Sequence, residues 1–316
     1  MGPQAILAVD IVIPVYNEAG VVERSYETLS AAIASSAHNF TVSYVNDGST
    51  DSTAASLAGL AARDPRVRVI ELSRNFGHQA ALTAGIDAAL GDAVVTMDCD
   101  GQHPPELIPQ MLDLISNGYD IVQGQRAPDA EGTGFKKSTS TAFYRLLNAI
   151  SGTHVEPGAA DFRALSRQAV DALKSMPEYH RFLRGMISWM GFRSVILPYH
   201  ESTRIAGRSK YSLAKMLRLA MDALFSFSLA PLYIGLSLGG LFLCMALLEM
   251  LYVLSFWVTG RTSGLAAGWS SLMFVLLIIG GMLMILLGFV GVYVGYIFQE
   301  VKRRPVYLVR KGGPNA

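Results

Sequence analysis

Two long stretches that are almost free of charge constrain this chain more than any other feature. Residues 229–258 carry a single charged side chain, Glu249, and residues 270–299 carry none. Each stretch exceeds the roughly 20 apolar residues that a helix needs to cross a bilayer. A buried helical hairpin in a soluble core is the alternative, but runs of this length without charge favour the membrane. The sequence therefore predicts two transmembrane helices.

Basic residues on either side of these stretches predict their orientation. Five precede the first stretch and five follow the second: Arg204, Arg208, Lys210, Lys215, Arg218, and Lys302, Arg303, Arg304, Arg310, Lys311. The segment between the stretches contains only Arg261. Because short loops rich in Lys and Arg stay on the cytoplasmic side, both termini are predicted to lie in the cytoplasm.

Residues 206–228 have an amphipathic pattern just before the first stretch. Apolar residues recur at helical spacing, and three charged residues lie on the opposite face: Leu213, Met216, Leu217, Ala220, Met221, Leu224 and Phe227 against Lys215, Arg218 and Asp222. The pattern predicts an interfacial helix that contacts membrane lipids, and an ordinary core-facing helix is the alternative.

The residues before this helix alternate between strand-like and helix-like runs. Strands are predicted at 10–15, 40–45, 67–72 and 93–97, and helices at 19–36, 51–63 and 77–90. Such alternation predicts a mostly parallel α/β sheet with ligands at the carboxyl ends of its strands. We therefore expect four parts: a catalytic domain at 1–205, the interfacial helix at 206–228, a two-helix membrane domain at 229–299 and a cytoplasmic tail at 300–316.

Charge composition limits the partners of the chain. The formal net charge is only +1 over 316 residues, so no overall positive field attracts nucleic acid. Any anion-binding site must be local, and no nucleic-acid partner is expected.

Three sequence motifs each end a predicted strand with polar residues. They are "DIVIPVYNEAG", "VNDGSTD" and "VVTMDCDGQHPPELIP", and the last places Asp98 and Asp100 one residue apart at the end of a buried strand. Oxygen ligands of this kind suit Mg²⁺ or Mn²⁺ and leave positions for substrate phosphates. A solvated acidic turn is the alternative for Asp98 and Asp100, and a helix N-cap is the alternative for "VNDGSTD".

Together with "GQR", "ADFRALSR", "MPEYHRFLRG" and "RIAGRSKYS", these motifs resemble the family 2 glycosyltransferases of the GT-A fold. More narrowly, the sequence is similar to polyprenyl-phosphate glycosyltransferases, which include dolichol-phosphate mannose synthase and bacterial undecaprenyl-phosphate glucosyltransferases. The resemblance spans about residues 8–311. It implies an enzyme of the bacterial inner membrane that transfers glucose from UDP-glucose to undecaprenyl phosphate, with inversion and with Mg²⁺ or Mn²⁺ bound.

The resemblance also implies roles for individual residues on the donor side. The nucleotide-sugar would contact residues from four motifs: Pro14, Tyr16, Glu18, Asp47, Asp98, Arg204 and Lys210. Asp100 and Gln102 would hold the metal, with Asp98 joining them.

On the acceptor side, Arg126, Lys137 and Ser140 are candidates for binding the lipid phosphate, a dianion that suits Arg and Lys. A solvated basic loop is the alternative for Lys137. Asp161 resembles the family's acid near the anomeric carbon, where it would act as a base or orient the acceptor or a sugar hydroxyl. Asp161, Asp100 and Arg126 are therefore the expected catalytic residues.

Other functions remain open at this point. Another sugar, such as mannose from GDP-mannose or an aminoarabinose derivative, would use the same scaffold. A processive polysaccharide synthase should carry a Q-x-x-R-W signature, which this sequence lacks. A non-enzymatic membrane scaffold would be expected to lose the acids. The terminal "RPVYLVRKG" alternates like an edge strand, which predicts a homo-oligomer through pairing with a neighbouring protomer.

Overall fold

The computed structural model describes residues 6–127, 159–179, 181–200 and 268–310, with scattered positions between 237 and 259. The chain divides into two compact units, one formed by Met1–Met216 with Arg304–Ala316 and the other by Leu217–Arg303. The finer division into four parts stays a prediction.

The first unit is built on a seven-stranded sheet. Its strands are β1 (Ala8–Val15), β2 (Asn39–Asn46), β3 (Val67–Glu71), β4 (Ala93–Thr96), β5 (Ile121–Arg126), β6 (Ala159–Ser166) and β7 (Ser194–Tyr199). They lie in the order β3-β2-β1-β4-β6-β5-β7, and only β6 runs antiparallel to its neighbours. The predicted mostly parallel α/β sheet is confirmed, and the four predicted strands correspond to β1–β4.

Within the described part of this unit, six α-helices accompany the sheet. They are α1 (Val22–Ile33), α2 (Thr53–Arg63), α3 (His78–Ala88), α4 (Ile108–Ser116), α5 (Arg167–Lys174) and α6 (Leu183–Trp189). In α1 the buried residues Val22, Ser25, Leu29 and Ile33 recur every three or four positions, which gives the helix one core-facing side. The first helix is predicted to begin at residue 19, but it begins at Val22, and residues 16–21 form a loop between β1 and α1.

The core is centred on β1. Seven of its eight residues are buried, as expected of a strand that is covered on both faces and therefore reads as a continuous apolar run. Asp10 is the one charged residue of β1. Its Oδ2 accepts hydrogen bonds from the amides of Leu90 and Gly91 at 2.8 and 2.7 Å. These bonds satisfy the carboxylate and fix the turn that leads into β4.

The reversed direction of β6 brings two distant parts of the chain together. Because β4 and β6 are antiparallel, with Thr96 paired to Arg163, the early residues of β6 lie beside the end of β4. Thr96 Oγ1 donates a hydrogen bond to the carbonyl of Asp161 at 2.7 Å. Asp161 is thereby placed next to the "DCDGQ" turn.

The C-terminal tail pairs with the exposed edge of β3. Leu72 and Val309 form an antiparallel bridge, the Ser73 amide donates to Leu308 O at 2.8 Å, and the Arg310 amide donates to Glu71 O at 2.7 Å. The tail therefore behaves as an edge segment, but it pairs with the sheet of its own chain. The predicted homo-oligomer is not tested by this pairing.

In the second unit, the long helix α7 spans Trp269–Val301. Its Ile278–Val301 portion is the one helix among the described residues that is long and apolar enough to cross a membrane. This portion overlaps the second predicted stretch, 270–299, from residue 278 onward. Most of the first stretch, 229–258, and all of the interfacial helix at 206–228 lie outside the described residues.

Candidate active site

The polar turn after β4 presents Asp98 and Asp100. Both are half-buried, whereas Cys99 between them is buried, so the two carboxylates flank a side chain that points into the core. The Gln102 amide donates to Asp100 Oδ1 at 3.1 Å, and the Asp98 amide donates to His103 Nδ1 at 2.9 Å. The turn is thus held from both ends by its own residues.

His103 supports this turn from the core. Its ring is buried, stacks on Phe162 with 5.2 Å between centroids and contacts the edge of Tyr199 at 6.0 Å. Burial lowers the pKa of His103. Because Nδ1 accepts from the Asp98 amide, Nε2 carries the proton in the neutral ring and lies 3.7 Å from Asp98 Oδ2. His103 therefore has a structural role in holding the turn.

Asp161 lies in a buried cluster of charges. Arg163 Nη2 lies 2.8 Å from Asp161 Oδ1, and Arg184 donates from Nε to Oδ1 at 3.1 Å and from Nη2 to Oδ2 at 3.0 Å. Burial alone would raise the pKa of Asp161, but the charge of Arg184, the hydrogen bond from His78 and the charge of Arg163 hold it well below its usual range. Asp161 is therefore ionised at neutral pH.

His78, the first residue of α3, connects Asp161 to the turn after β4. Its Nε2 lies 3.3 Å from Asp161 Oδ2 and 3.6 Å from Asp98 Oδ1. Partial desolvation by its neighbours would lower the pKa of His78, but the hydrogen bond to Asp161 and the charges of Asp98 and Asp161 raise it overall. The imidazole therefore lies beside the C-terminal end of β4 and the N-terminal end of β6.

Asp47 fixes the loop between β3 and α3. It is buried, and its Oδ1 and Oδ2 accept hydrogen bonds from the amides of Phe76 and Gly77 at 2.7 and 2.9 Å. Burial raises the pKa of Asp47, and the two amide bonds oppose that rise only in part. Asp47 therefore positions the residue before His78, and its predicted contact with a nucleotide stays a prediction.

The loop after β1 is tied to the loop after β2. Asn17, which has a φ of 54°, donates from its amide to Ser49 Oγ at 3.0 Å and accepts from the Thr50 amide at 2.8 Å. The Glu18 amide donates to Thr53 Oγ1 at 2.9 Å. Asn is among the residues that tolerate a left-handed backbone, which accounts for its use here.

The nucleotide candidates from this loop differ in exposure. Pro14 is buried in β1, Tyr16 is exposed just beyond it, and Glu18 is half-buried. Asp51, in the next loop, accepts from the Thr53 amide at 3.0 Å, whereas the N-cap residue of α2, Ser52, makes no side-chain cap hydrogen bond.

The acceptor-side candidates are only partly described. Arg126 is exposed at the end of β5, the strand beside β6. Lys137 and Ser140 lie outside the described residues, as do the donor-side candidates Arg204 and Lys210.

The donor atoms at the turn after β4 fit a hard divalent cation. Asp98, Asp100 and Gln102 offer carboxylate and amide oxygens, and Mg²⁺ is commonly bound by one or two carboxylates together with substrate phosphates. Within the described ranges, no group of three or more His, Cys, Asp or Glu side chains is arranged to hold a metal ion. The protein part of such a site would therefore be incomplete until a diphosphate supplied further oxygens.

Three residues of this site were not singled out by the sequence. Arg163 stands two positions after Asp161 on a strand, so the two share a face of the sheet, and this spacing was an available signal. Arg184 belongs to the quoted "MPEYHRFLRG" motif, in which nothing distinguished it from Arg181. His78 gave no signal, because its role depends on where α3 begins relative to β4 and β6.

Comparison with known proteins identifies the family. The model of the family described as "Glycosyl transferase family 2" matches residues 10–173, which include β1 to β6 and both Asp98 and Asp161. The chain belongs to this family. Family 2 membership agrees with the resemblance inferred from the motifs, and the match ends within α5.

Similarity to curated family 2 members extends over nearly the whole chain. An uncharacterized glycosyltransferase of Bacillus subtilis is 40% identical over 301 residues, covering 95% of this chain and 93% of that protein. A prophage-derived bactoprenol glucosyl transferase of Shigella flexneri is 34% identical over 309 residues, covering 96% and 98%. Both matches therefore include the segments beyond the family model.

Solved structures resemble this family 2 member less closely. Glucosyl-3-phosphoglycerate synthase from Mycobacterium tuberculosis, in complex with Mn²⁺, UDP and glucosyl-3-phosphoglycerate, superposes with a TM-score of 0.49. The two are 21% identical, and the match covers 70% of this chain and 80% of that one. A likeness this distant says nothing about the chemistry of the present chain.

Proposed function

We propose that this family 2 member transfers glucose from UDP-glucose to undecaprenyl phosphate at the cytoplasmic leaflet of the bacterial inner membrane. The observation that carries the proposal is the end-to-end similarity to a bactoprenol glucosyl transferase, at 34% identity over 96% of this chain and 98% of that protein. A similarity of that extent includes the apolar helix α7 as well as the carboxylate site, and a polyprenyl phosphate is an acceptor that resides in a membrane.

The charges of the site support a transfer between two phosphates. The reaction breaks the bond between the anomeric carbon and the UDP oxygen, and forms a bond from that carbon to an oxygen of the lipid phosphate. Attack from the opposite side inverts the configuration. The attacking phosphate, whose second pKa is roughly 6, is already ionised at neutral pH. Little general-base catalysis is therefore required, and positioning of the reactants becomes the main task of the protein.

Asp161 suits an orienting role better than a proton-accepting one. Arg163 and Arg184 both bind its carboxylate, and its pKa lies well below the usual range. A carboxylate held in this way is a weak base but a well-fixed hydrogen-bond acceptor for a hydroxyl. We infer that it orients the acceptor or a sugar hydroxyl beside the reacting carbon.

Asp98, Asp100 and Gln102 would hold Mg²⁺ or Mn²⁺ with the donor diphosphate. When bound, the cation neutralises charge on the departing UDP. Pro14, Tyr16, Glu18 and Asp47 would lie around the nucleotide with Arg204 and Lys210, and Arg126, Lys137 and Ser140 would bind the lipid phosphate.

The membrane arrangement follows from the same proposal. Two spans, 229–258 and 270–299, would anchor the protein, and the amphipathic segment 206–228 would lie on the cytoplasmic leaflet. The catalytic unit and both termini would then be cytoplasmic. Association into a homo-oligomer is a further expectation, and crosslinking in native membranes that gave only monomers would count against it.

The proposal is tested by measuring lipid-product formation with the purified full-length protein in membranes. Undecaprenyl phosphate is supplied with a panel of labelled UDP- and GDP-sugars, with Mg²⁺ or with a chelator. Asp100→Asn is compared with Glu27→Gln, an exposed carboxylate of α1, as the matched control. We expect a labelled lipid from UDP-glucose that requires the cation, is lost in Asp100→Asn and persists in Glu27→Gln.

Other outcomes of this assay are equally informative. A product from GDP-mannose or from an aminoarabinose donor alone would replace the proposed sugar and keep the reaction. A folded protein that yields no labelled lipid from any donor would reject the proposed function.

A further inference from the structure

His78 is the side chain that joins the two carboxylates of the candidate site. Asp161 comes from β6 and Asp98 from the turn after β4, and their contacts to His78 Nε2 are 3.3 and 3.6 Å. Among the described residues, no other Lys, Arg or His side chain has a nitrogen within 4.0 Å of both. Of the two carboxylates, Arg163 and Arg184 pair with Asp161, whereas His103 lies beside Asp98.

The backbone at the start of α3 sets the position of His78. It opens α3 directly after Gly77, whose amide donates to the buried Asp47 carboxylate at 2.9 Å. Gly77 has a φ of 99°, a conformation that side-chain-bearing residues rarely adopt. The start of the helix is therefore fixed against the loop after β2, and the imidazole lies at the point where β4 ends and β6 begins.

The contacts of His78 are not needed to neutralise Asp161. Two guanidinium groups already bind that carboxylate, at 2.8 and 3.0 Å, from the buried side and from α6. The His78 side chain is instead exposed at the mouth of the site, with 43% of its surface accessible. What it adds is a link between Asp98, which the proposed function places beside the donor diphosphate, and Asp161, which it places beside the reacting carbon.

We propose that His78 is a positioning residue, which holds Asp98, assigned to the donor diphosphate, and Asp161, assigned to the reacting carbon, in register for sugar transfer. This inference rests on the proposed function. Neighbours of this kind, which act through the residues that bind the reactants, commonly change activity by about 10- to 100-fold when they are removed. Misplacement of the reacting groups affects the chemical step more than the binding of either substrate.

The test compares substitutions that differ in reach at residue 78. His78→Gln keeps a nitrogen with two N–H groups at nearly the same distance from the backbone, whereas His78→Asn carries the same amide one methylene shorter. His78→Leu removes donation altogether. His200→Leu is the control, because His200 is an exposed histidine beyond the end of β7. All are assayed as full-length protein in membranes containing undecaprenyl phosphate, with thermal unfolding measured in parallel.

We expect kcat to fall by about 10- to 100-fold in His78→Leu and His78→Asn, with KM for UDP-glucose nearly unchanged. His78→Gln should recover most of the lost kcat, and His200→Leu should match wild type. If His78→Leu fails to fold, the comparison of His78→Asn with His78→Gln decides the matter.

Two results would overturn the inference while wild type is active. One is a wild-type kcat in His78→Asn, and the other is an equal loss in His78→Gln and His78→Asn, because reach would then be irrelevant. An inactive wild-type protein would reject the proposed function itself, and the inference would fall with it. The two failures are therefore distinguishable.

Discussion

Arg184 donates two hydrogen bonds to the carboxylate of Asp161, from Nε to Oδ1 at 3.1 Å and from Nη2 to Oδ2 at 3.0 Å. The two residues are 23 positions apart, on α6 and β6. A planar guanidinium can satisfy both carboxylate oxygens at once, and an ammonium group cannot. The pairing therefore makes α6 a part of the candidate site.

We predict that Arg184→Lys is not conservative. It should lose at least one charge-assisted hydrogen bond to a buried carboxylate, at a cost of about 1.5–3 kcal/mol. If that free energy affects the transition state, kcat falls by about tenfold or more. Lipid-product formation is measured for Arg184→Lys and for the control Arg24→Lys, the same change at an exposed position of α1. Equal activity of the two variants would show that the bidentate geometry is dispensable.

The sequence predicted the strands of this fold whose side chains are buried on both faces. The continuous apolar run of β1 and the alternation that produced β2, β3 and β4 were readable because burial on both faces leaves a direct mark in the sequence. The start of α1 was placed three residues early, because the Asn17 loop is held by Ser49 and Thr50, which the periodicity of residues 19–36 does not reveal.

Contacts between distant segments explain what the sequence did not predict. Asp161 lies near Asp98 because β6 runs antiparallel to β4, and strand direction is not encoded in either strand alone. The role of His78 depends on the same arrangement. The tail was recognised as an edge segment, yet its partner, β3 of the same chain, was not, since pattern alone does not choose between edges.

Gly48 is predicted to tolerate no side chain. It has a φ of 64°, and a Cβ placed there would lie 2.4 Å from the backbone carbon of Arg74 and 2.6 Å from the nitrogen of Asn75. Gly48→Ala should therefore destabilise the protein by more than about 1 kcal/mol and displace the loop that Asp47 holds. Thermal and denaturant unfolding of the full-length protein measure the effect.

Gly59 supplies the matched control for that change. It lies inside α2, and a Cβ there would meet no atom within 4 Å. Gly59→Ala should stabilise the protein by about 0.5–1 kcal/mol, because alanine is the better helix former. The prediction for Gly48 would be contradicted if both alanine variants shifted stability in the same direction.

Asp64 is predicted to make stability depend on acid pH. Arg66 Nη2 lies 2.7 Å from its Oδ2, Tyr26 also donates to it, and these contacts, the bond from Arg66 foremost, hold the pKa of Asp64 below its usual range. A depressed folded-state pKa stabilises the protein above the unfolded-state value of about 3.9, and that contribution is lost as pH falls below it. Because Arg66 is partly exposed, we expect a contribution of only about 1 kcal/mol.

The measurement for Asp64 is a comparison of unfolding between wild type and Asp64→Asn from pH 7 down to pH 3. Wild type should be the more stable at neutral pH, and the difference should shrink through the most acidic part of the range. Asp171→Asn, at an exposed position of α5 whose ion pair with Arg167 is longer, at 3.6 Å, serves as control. A difference that did not change with pH would contradict the assignment.

Tyr307 is predicted to fasten the C-terminal tail to α3. Its hydroxyl donates to Asp87 Oδ2 at 3.0 Å, near the end of the helix that begins with His78. Tyr307→Phe removes this bond, at a cost of about 1 kcal/mol, but leaves the backbone pairing with β3 in place. Amide hydrogen exchange at Ser73 and Arg310, whose N–H groups form that pairing, should become faster in Tyr307→Phe and stay unchanged in the control Tyr119→Phe. Unaltered exchange in Tyr307→Phe would mean that the backbone bonds alone hold the tail, so that α3 and the site at its first residue are independent of it.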